Sequence, residues 1–171
     1  MIKRRKRKHG VTGFFEELPT AVIVIVSITI FMIAMIHTLS VYISFQKYNN
    51  LLNAANNFES SVRTYDLLVV NGTYNGSLIS GEFNMSKLVS FENNVYSTEV
   101  ITKDLQPPGN FFINITDKVT NVSWTFGDKL TYTNNLITVV TLTTPVDIQI
   151  KNNVIDVGVM EIYVWQTSSQ V

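Results

Sequence analysis

The sequence predicts an α+β fold in which one long N-terminal helix packs on a C-terminal antiparallel β-sheet or small β-sandwich. Neither Pro nor Gly occurs between Thr20 and Val70, so the chain can stay helical over this whole length. After the turn signal "QPPGN" at 106–110, β-branched and aromatic residues alternate with polar ones, as they do in half-buried strands. A helical region followed by a strand-rich region is typical of the α+β class.

A basic leader, predicted at residues 1–17, opens the chain with six consecutive Lys and Arg residues from Lys3 to Lys8. Residues 48–171 carry six Lys and Arg against eleven Asp and Glu, so the charge is strongly asymmetric. Basic residues beside a membrane span stay on the cytoplasmic side, which predicts a cytoplasmic N-terminus. A nucleic-acid partner is not expected, because the run lies only ten residues from a long apolar segment.

That apolar segment, from Leu18 to Gln46, contains no charged residue in 29 positions. As a helix it would be roughly 43 Å long, against roughly 30 Å of hydrocarbon in a bilayer. We therefore predict a single membrane span at 18–46, with membrane lipid as a partner. Its length, and the lack of a small-residue cleavage site at its far end, are atypical of a secretory signal, so the segment should stay in the mature protein.

The helix is predicted to continue beyond the membrane as an amphipathic segment at 47–69. Pro19 would occupy its first turn, with the helix running from about Thr20 to a point between Tyr65 and Val69. Apolar residues recur at steps of three and four along one face. They are Phe45, Tyr48, Leu52, Ala55, Phe58, Val62, Tyr65 and Val69. This stripe needs a partner, and the domain that follows is the expected one.

Residues 70–171 are predicted to form a β-rich domain outside the cell. For residues 70–103 we expect a loop with either short strands or one short helix near 86–92, and five or six strands are expected within 111–167. In "NVSWTF", Val122, Trp124 and Phe126 alternate with polar residues, so one face of that strand should be apolar. The pair at 152–153, Asn-Asn, suits a hairpin turn.

The sequence holds few residues that could carry chemistry. It has no cysteine, which excludes disulfides and a thiol nucleophile, and only two histidines, His9 and His37. No Ser/His/Asp set, phosphate-binding loop or metal-ligand pattern is present, so we expect no enzyme, metal or cofactor. His37, inside the predicted span, is expected to bond a neighbouring helix or a backbone carbonyl.

All 17 asparagines lie at or beyond Asn49, on the side of the chain predicted to be outside. Five of them stand in Asn-x-Ser/Thr, where about three would be expected by chance, and each is a potential glycosylation acceptor. These five are Asn71, Asn75, Asn84, Asn114 and Asn121.

The order of parts resembles the type IV pilin-like proteins, especially the archaeal pilin and archaellin group. The resemblance covers the architecture of the whole chain, but its residues lie in 3–20 only. It implies that a prepilin-type membrane peptidase cuts after a glycine of the leader, at "KHG|VTGFFEEL" after Gly10 or at "VTG|FFEEL" after Gly13. Glu16 and Glu17 then fall at mature positions six and seven or three and four, whereas the family commonly has Glu at position five.

The resemblance implies a structural subunit, major or minor, of an extracellular filament or pilus-related secretion machine. Its partners would be other copies or related subunits, together with an assembly ATPase and platform protein. Glu16 and Glu17 either cap the helix and pair with the basic run, or meet an opposite charge such as a neighbouring subunit's N-terminal amine. The alternative function is a permanently membrane-anchored envelope protein whose outer β domain binds a surface-layer or archaellum component.

Overall fold

The computed structural model describes residues 12–70, 73–74, 77–78, 81–128, 136–151 and 154–167. The chain has the predicted α+β composition and divides after Gln46 into two compact units. Its three helices among these residues are α1 (Thr12–Val62), α2 (Met85–Glu92) and α3 (Ser97–Leu105). The strands among them are β1 (Thr73–Tyr74), β2 (Ser77–Leu78), β3 (Glu82–Asn84), β4 (Asn110–Asp117), β5 (Ser123–Gly127), β6 (Leu136–Lys151) and β7 (Val154–Thr167).

The second unit is built on a five-stranded sheet in the order β3-β6-β7-β4-β5, while β1 and β2 form a separate antiparallel pair. The pairings β6–β7, β7–β4 and β4–β5 are antiparallel, as predicted. The pairing of β3 with β6 is parallel, so the sheet is mixed. The antiparallel prediction therefore fails for β3, and a sandwich is not observed among the described strands. The connection from β3 to β6 contains two helices and two strands, which is ample for a parallel crossover.

Two long strands, β6 and β7, dominate the sheet. The described residues of 111–167 form four strands, where five or six were predicted. The strand β6 runs through Pro145 without a break. The N–H of Asp147 donates to the carbonyl of Gly81 at 3.3 Å, so this side of β6 faces β3. Pro145, two residues earlier, faces the same side, but β3 pairs only with positions 147–149. The missing N–H of Pro145 therefore costs no ladder bond.

The outer end of α1, which belongs to the second unit, packs with the sheet through Leu51, Ala55, Phe58 and Val62, all buried. The ring of Phe58 meets that of Phe111 edge to face, with centroids 5.4 Å apart. The predicted stripe thus has its partner, but its first buried member is Ala55, because Leu51 is buried where Leu52 was predicted and Leu52 is only partly buried. Its first two members, at positions 45 and 48, are exposed.

Both ends of α1 differ from the prediction. The helix begins by Thr12, so Pro19 lies inside it and removes one backbone hydrogen bond from its ladder. It ends at Val62, because the following residues bond over three positions, as Tyr65 N–H does to the carbonyl of Val62 at 3.2 Å. Such tighter turns close a helix and redirect the chain.

Short strands and a short helix near 86–92 were the alternatives for this region, and the structure has both, with the helix observed as α2 and Asn84 as its N-cap. The second short helix, α3, was not predicted. It has no side-chain hydrogen bond at its N-terminus and ends at Gln106, which adopts the left-handed conformation before two prolines.

Candidate functional site

The candidate functional surface is the part of α1 from residue 18 to residue 46, which we call the apolar span. Every residue in it is exposed, including its large apolar side chains. By length and composition this helix can cross a membrane, and none of its most apolar 18-residue window is buried. Exposed apolar surface of this extent marks contact with a membrane or with other proteins. The apolar span is therefore a candidate membrane span.

Three hydroxyl groups within the apolar span are satisfied by its own backbone. Thr29 Oγ1 donates to the carbonyl of Ile25 at 2.8 Å, and Thr38 Oγ1 donates to the carbonyl of Ala34 at 2.9 Å. Ser44 Oγ repeats the pattern with Ser40 at 3.0 Å. Such back-bonded hydroxyls can lie in hydrocarbon without an unpaired donor.

Two other polar side chains of the span, those of Gln46 and His37, differ in their hydrogen bonding. Gln46, at the outer end, donates from Nε2 to the hydroxyl of Tyr42 at 2.6 Å. His37 makes no hydrogen bond to any residue that the structure describes. The sequence left open whether His37 bonds a backbone carbonyl or a neighbouring helix, and no bond to its own helix is formed.

The predicted processing and assembly residues lie at the start of the chain. Gly10 falls outside the described residues. Gly13, Glu16 and Glu17 lie within the first two turns of α1, whereas the prediction placed both glutamates ahead of the helix.

Two of the described sequon asparagines use their side-chain amides in structural hydrogen bonds. Asn84 Oδ1 accepts from the N–H of Lys87 at 3.2 Å, and its Nδ2 donates to Gln149 at 3.3 Å. Asn114, half-buried in β4, donates from Nδ2 to Glu161 Oε2 at 3.1 Å, and its buried Oδ1 has no partner. Since Nδ2 is the atom that would carry a glycan, both amides are engaged in the folded domain.

The third described sequon residue, Asn121, is exposed in the turn between β4 and β5. Its φ of 57° is left-handed, a conformation that Asn tolerates better than most residues. Asn71 and Asn75 lie outside the described residues.

The turn that carries Asn121 is held by Asp117, which is fully buried. Its Oδ1 accepts from the N–H groups of Val119 at 2.8 Å and Thr120 at 3.3 Å, and its Oδ2 accepts from Thr120 Oγ1 at 2.5 Å. Burial alone would raise the pKa of Asp117, but these hydrogen bonds outweigh it and hold the pKa below its usual value. Asp is favoured in turns because its side chain can bond the backbone two residues on, as Asp117 does here.

The described surface of the second unit also contains a groove. An open groove of about 570 Å³ is lined by Leu67, Phe91 and neighbouring residues. Lys87, at its edge, donates to the carbonyls of Asp66 and Val69 at 2.7 and 2.8 Å, so its ammonium group helps to hold the chain after α1. No group of three metal-ligating side chains occurs among the residues that the structure describes.

Comparison of the chain with protein-family models, with curated proteins and with solved structures finds no match.

Proposed function

We propose that the chain is a structural subunit, major or minor, of an extracellular filament or pilus-related secretion machine, assembled through its apolar span. The observation that carries the proposal is the contrast within α1. Its outer end is covered by the sheet, whereas the span is exposed at every residue. A surface of this kind can be covered first by lipid and later by the spans of neighbouring copies, since close helix packing can replace lipid contacts.

In this proposal the basic leader holds the N-terminus in the cytoplasm, and the β-rich unit lies outside the cell. A prepilin-type peptidase cuts the leader, and an assembly ATPase with its platform protein extracts the subunit from the membrane. The strand-rich unit then forms the outer surface of the filament, where accessible sequons can be glycosylated.

The two glutamates acquire a role only after cleavage. In the uncut chain they lie beyond the first turn of α1, where the helix dipole has little effect. A cut after Gly13 makes Phe14 the new N-terminus and brings Glu16 and Glu17 into the first turn. There they can pair with the N-terminal amine of an adjacent subunit, since a carboxylate moved into a poorly solvated core needs an opposite charge.

The decisive experiment is mass spectrometry of the N-terminal peptide, from the membrane fraction and from sheared surface filaments. We expect a mature N-terminus at Val11 or Phe14 in the filament fraction. The chain with both Gly10→Val and Gly13→Val should keep its leader and be absent from filaments, whereas Gly72→Val, outside the leader, serves as the matched control. If the native chain carries Met1 in both fractions, the filament proposal is rejected in favour of a permanently anchored envelope protein.

A further inference from the structure

The five-stranded sheet of the β-rich unit covers parts of both of its edges with other segments of the same chain. At one edge, the N–H of Thr125, the central residue of β5, donates to Glu92 Oε1 at 2.9 Å. At the other edge, β3 is covered by the chain that follows α1, since the N–H of Asn84 donates to the carbonyl of Leu68 at 2.9 Å. A strand from another molecule therefore cannot use the centre of β5 or the outer side of β3.

A longer stretch of edge is left open in β6, from residue 138 to residue 146. The neighbouring β3 pairs only with positions 147–149, and no other described strand lies on this side of β6. The N–H of Asp147 points to β3, and the register of β6 is continuous from 138 to 149. Backbone direction repeats at every second residue, so the N–H and C=O groups of Val139, Thr141 and Thr143 also point to this side. None of these groups has a hydrogen-bond partner among the residues that the structure describes.

The sequence of the open stretch lacks the features that usually protect an edge. Proteins discourage strand pairing with charged side chains, prolines or bulges. Residues 138–144, "TVVTLTT", contain no charge, proline or glycine, and six of the seven are β-branched. Thr141 and Thr143 are exposed, and Leu142, on the other face, is only partly buried against the core. An added strand would satisfy the open backbone groups and extend the cover over Leu142.

We propose that the open edge of β6 pairs with the same edge of a second copy of this chain, as two antiparallel strands that join both five-stranded sheets into one. The inference goes beyond the proposed function, because it concerns the β-rich unit and needs neither cleavage of the leader nor the apolar span.

The partner follows from the chemistry of the edge. Only another strand supplies N–H and C=O groups at the matching spacing. The stretch in β6 is the longest open edge among the described strands, so it is also the edge that a second copy has to offer. A contact between two identical edges is a closed two-fold contact. Because the stretch is uncharged, such a contact brings no like charges opposite each other.

Pro145 determines the register of this pair. It has no N–H to offer on the open side, so a pairing that includes it loses a hydrogen bond. A pairing centred on Thr141 uses all three open residues and leaves Pro145 beyond them. Thr141 then faces Thr141 of the second copy, and Val139 faces Thr143. Each facing pair exchanges two hydrogen bonds, which gives about six in all.

The first test uses the absence of cysteine from the chain, which makes every introduced thiol unique. In the proposed register the two Thr141 Cα atoms lie about 5.5 Å apart, within reach of a disulfide, whereas the two Thr143 Cα atoms lie roughly 14 Å apart. Mild oxidation of the full chain in detergent micelles should cross-link Thr141→Cys at least about ten-fold faster than Thr143→Cys. Both positions are exposed, so the second variant is a matched control for thiol reactivity.

The second test follows hydrogen exchange of single backbone amides by NMR in the same micelles. Exchange at Val139, Thr141 and Thr143 should slow by at least about ten-fold as the protein concentration rises, because pairing protects these N–H groups. The N–H of Thr125, which is bonded to Glu92 within one chain, should show no dependence on concentration.

The third test introduces a charge at the centre of the proposed contact. Thr141→Glu places two like charges opposite each other and should weaken the dimer at least about ten-fold. Thr141→Val, which keeps a β-branched side chain without charge, should leave the dimer intact. Val157→Glu, at an exposed position of β7, controls for the added charge. Fluorescence of the buried Trp124 and Trp165 shows whether each variant is folded.

The inference is overturned if the two thiols cross-link at the same rate, if amide exchange at Thr141 does not depend on concentration, or if cross-linking requires an added membrane extract. Dimers that persist unchanged in folded Thr141→Glu also overturn it, since they would form through a different surface. None of these outcomes touches the proposed function, which is rejected by retention of Met1 in the filament fraction.

Discussion

The two parts of α1 use similar residues for different purposes. Phe45, in the apolar span, is 60% exposed, whereas Phe58, three and a half turns later, is 3% exposed and packs on Phe111. The span is apolar on all sides. The outer part is apolar on one side only, with polar residues such as Asn56 and Asn57 exposed on the other.

This difference separates the surface that the chain buries by itself from the surface that it leaves for other molecules. A one-sided apolar stripe needs one partner layer, and the sheet provides it. An all-round apolar helix needs a complete apolar environment, which a single small domain does not supply. Substitutions in the two parts should therefore have different consequences.

The largest expected effect is on the buried side. Phe58→Ala should lower the free energy of unfolding of the β-rich unit by about 3–5 kcal/mol, because it removes a buried ring and leaves a cavity against Phe111. Phe45→Ala, the matched change in the span, should leave it within about 0.5 kcal/mol. Both tryptophans, Trp124 and Trp165, lie buried in the sheet, so tryptophan fluorescence during denaturant unfolding in detergent micelles reports this unit alone.

The control for Phe45 is membrane association, since the span is expected to act there and not in domain stability. Equal destabilisation by Phe45→Ala and Phe58→Ala would show that the span is packed into the folded unit. The distinction between the two parts of α1 would then be lost.

A smaller effect is expected from acid. The pKa of Asp117 is lowered in the folded state, so its stabilising contribution is present above the unfolded pKa near about 4 and is lost as the pH falls through the folded value. The unfolding free energy should therefore fall below about pH 4. The apolar span contains no carboxylate, so its retention in vesicles should not change over the same range.

Asp117→Asn tests this assignment, because it keeps the shape of the side chain and removes its charge. It should cost about 1–3 kcal/mol at neutral pH and reduce the dependence of stability on pH below 4. An unchanged acid profile in this variant would assign the loss of stability to other carboxylates.

The elements that could be predicted from the sequence are those in which local pattern and final environment agree. The apolar span follows from composition and the stripe at Ala55, Phe58 and Val62 from periodicity, and both are observed. The alternation in "NVSWTF" correctly placed Trp124 and Phe126 on the buried face, but it was wrong for Val122, which is exposed just before β5 begins. These predictions succeeded because burial on one side imposes its period on the sequence.

The elements that were missed, α3 and the parallel pairing of β3, left no clear local pattern in the sequence. α3 is short and polar, and its start lacks a side-chain cap. The strand β3 has three residues, too few to show a period, so its parallel pairing left no local signal.

The candidate site divides in the same way. Composition was enough to predict the apolar span. The hydrogen bond that engages the amide of Asn114 depends on the pairing of β4 with β7, which the sequence does not reveal. A sequon is a three-residue pattern, and whether its Nδ2 is accessible depends on the neighbouring strand.

The smallest expected effect on stability comes from changing a glycosylation site on the polar surface of the β-rich unit. This surface differs from the apolar span because its exposed residues are polar. Among the three described sequon residues, we expect a glycan on Asn121 only, in the full chain isolated from glycosylating cells. Asn121 is exposed, whereas a glycan on Asn114 would have to break the bond from Nδ2 to Glu161 beside a buried carbonyl oxygen. The glycan mass on each peptide is measured by mass spectrometry.

Asn121→Gly is the sharpest variant for this test, because glycine adopts the left-handed φ of 57° freely and the turn is preserved. It should remove the glycan mass from this peptide and change the unfolding free energy by no more than about 0.5 kcal/mol. Thr116→Val, which destroys the sequon of Asn114 with a β-branched residue suited to β4, should leave all glycan masses unchanged. A glycan found on Asn114 would mean that the amide is modified before β4 pairs with β7, and the folded surface would then not decide which sequons are used.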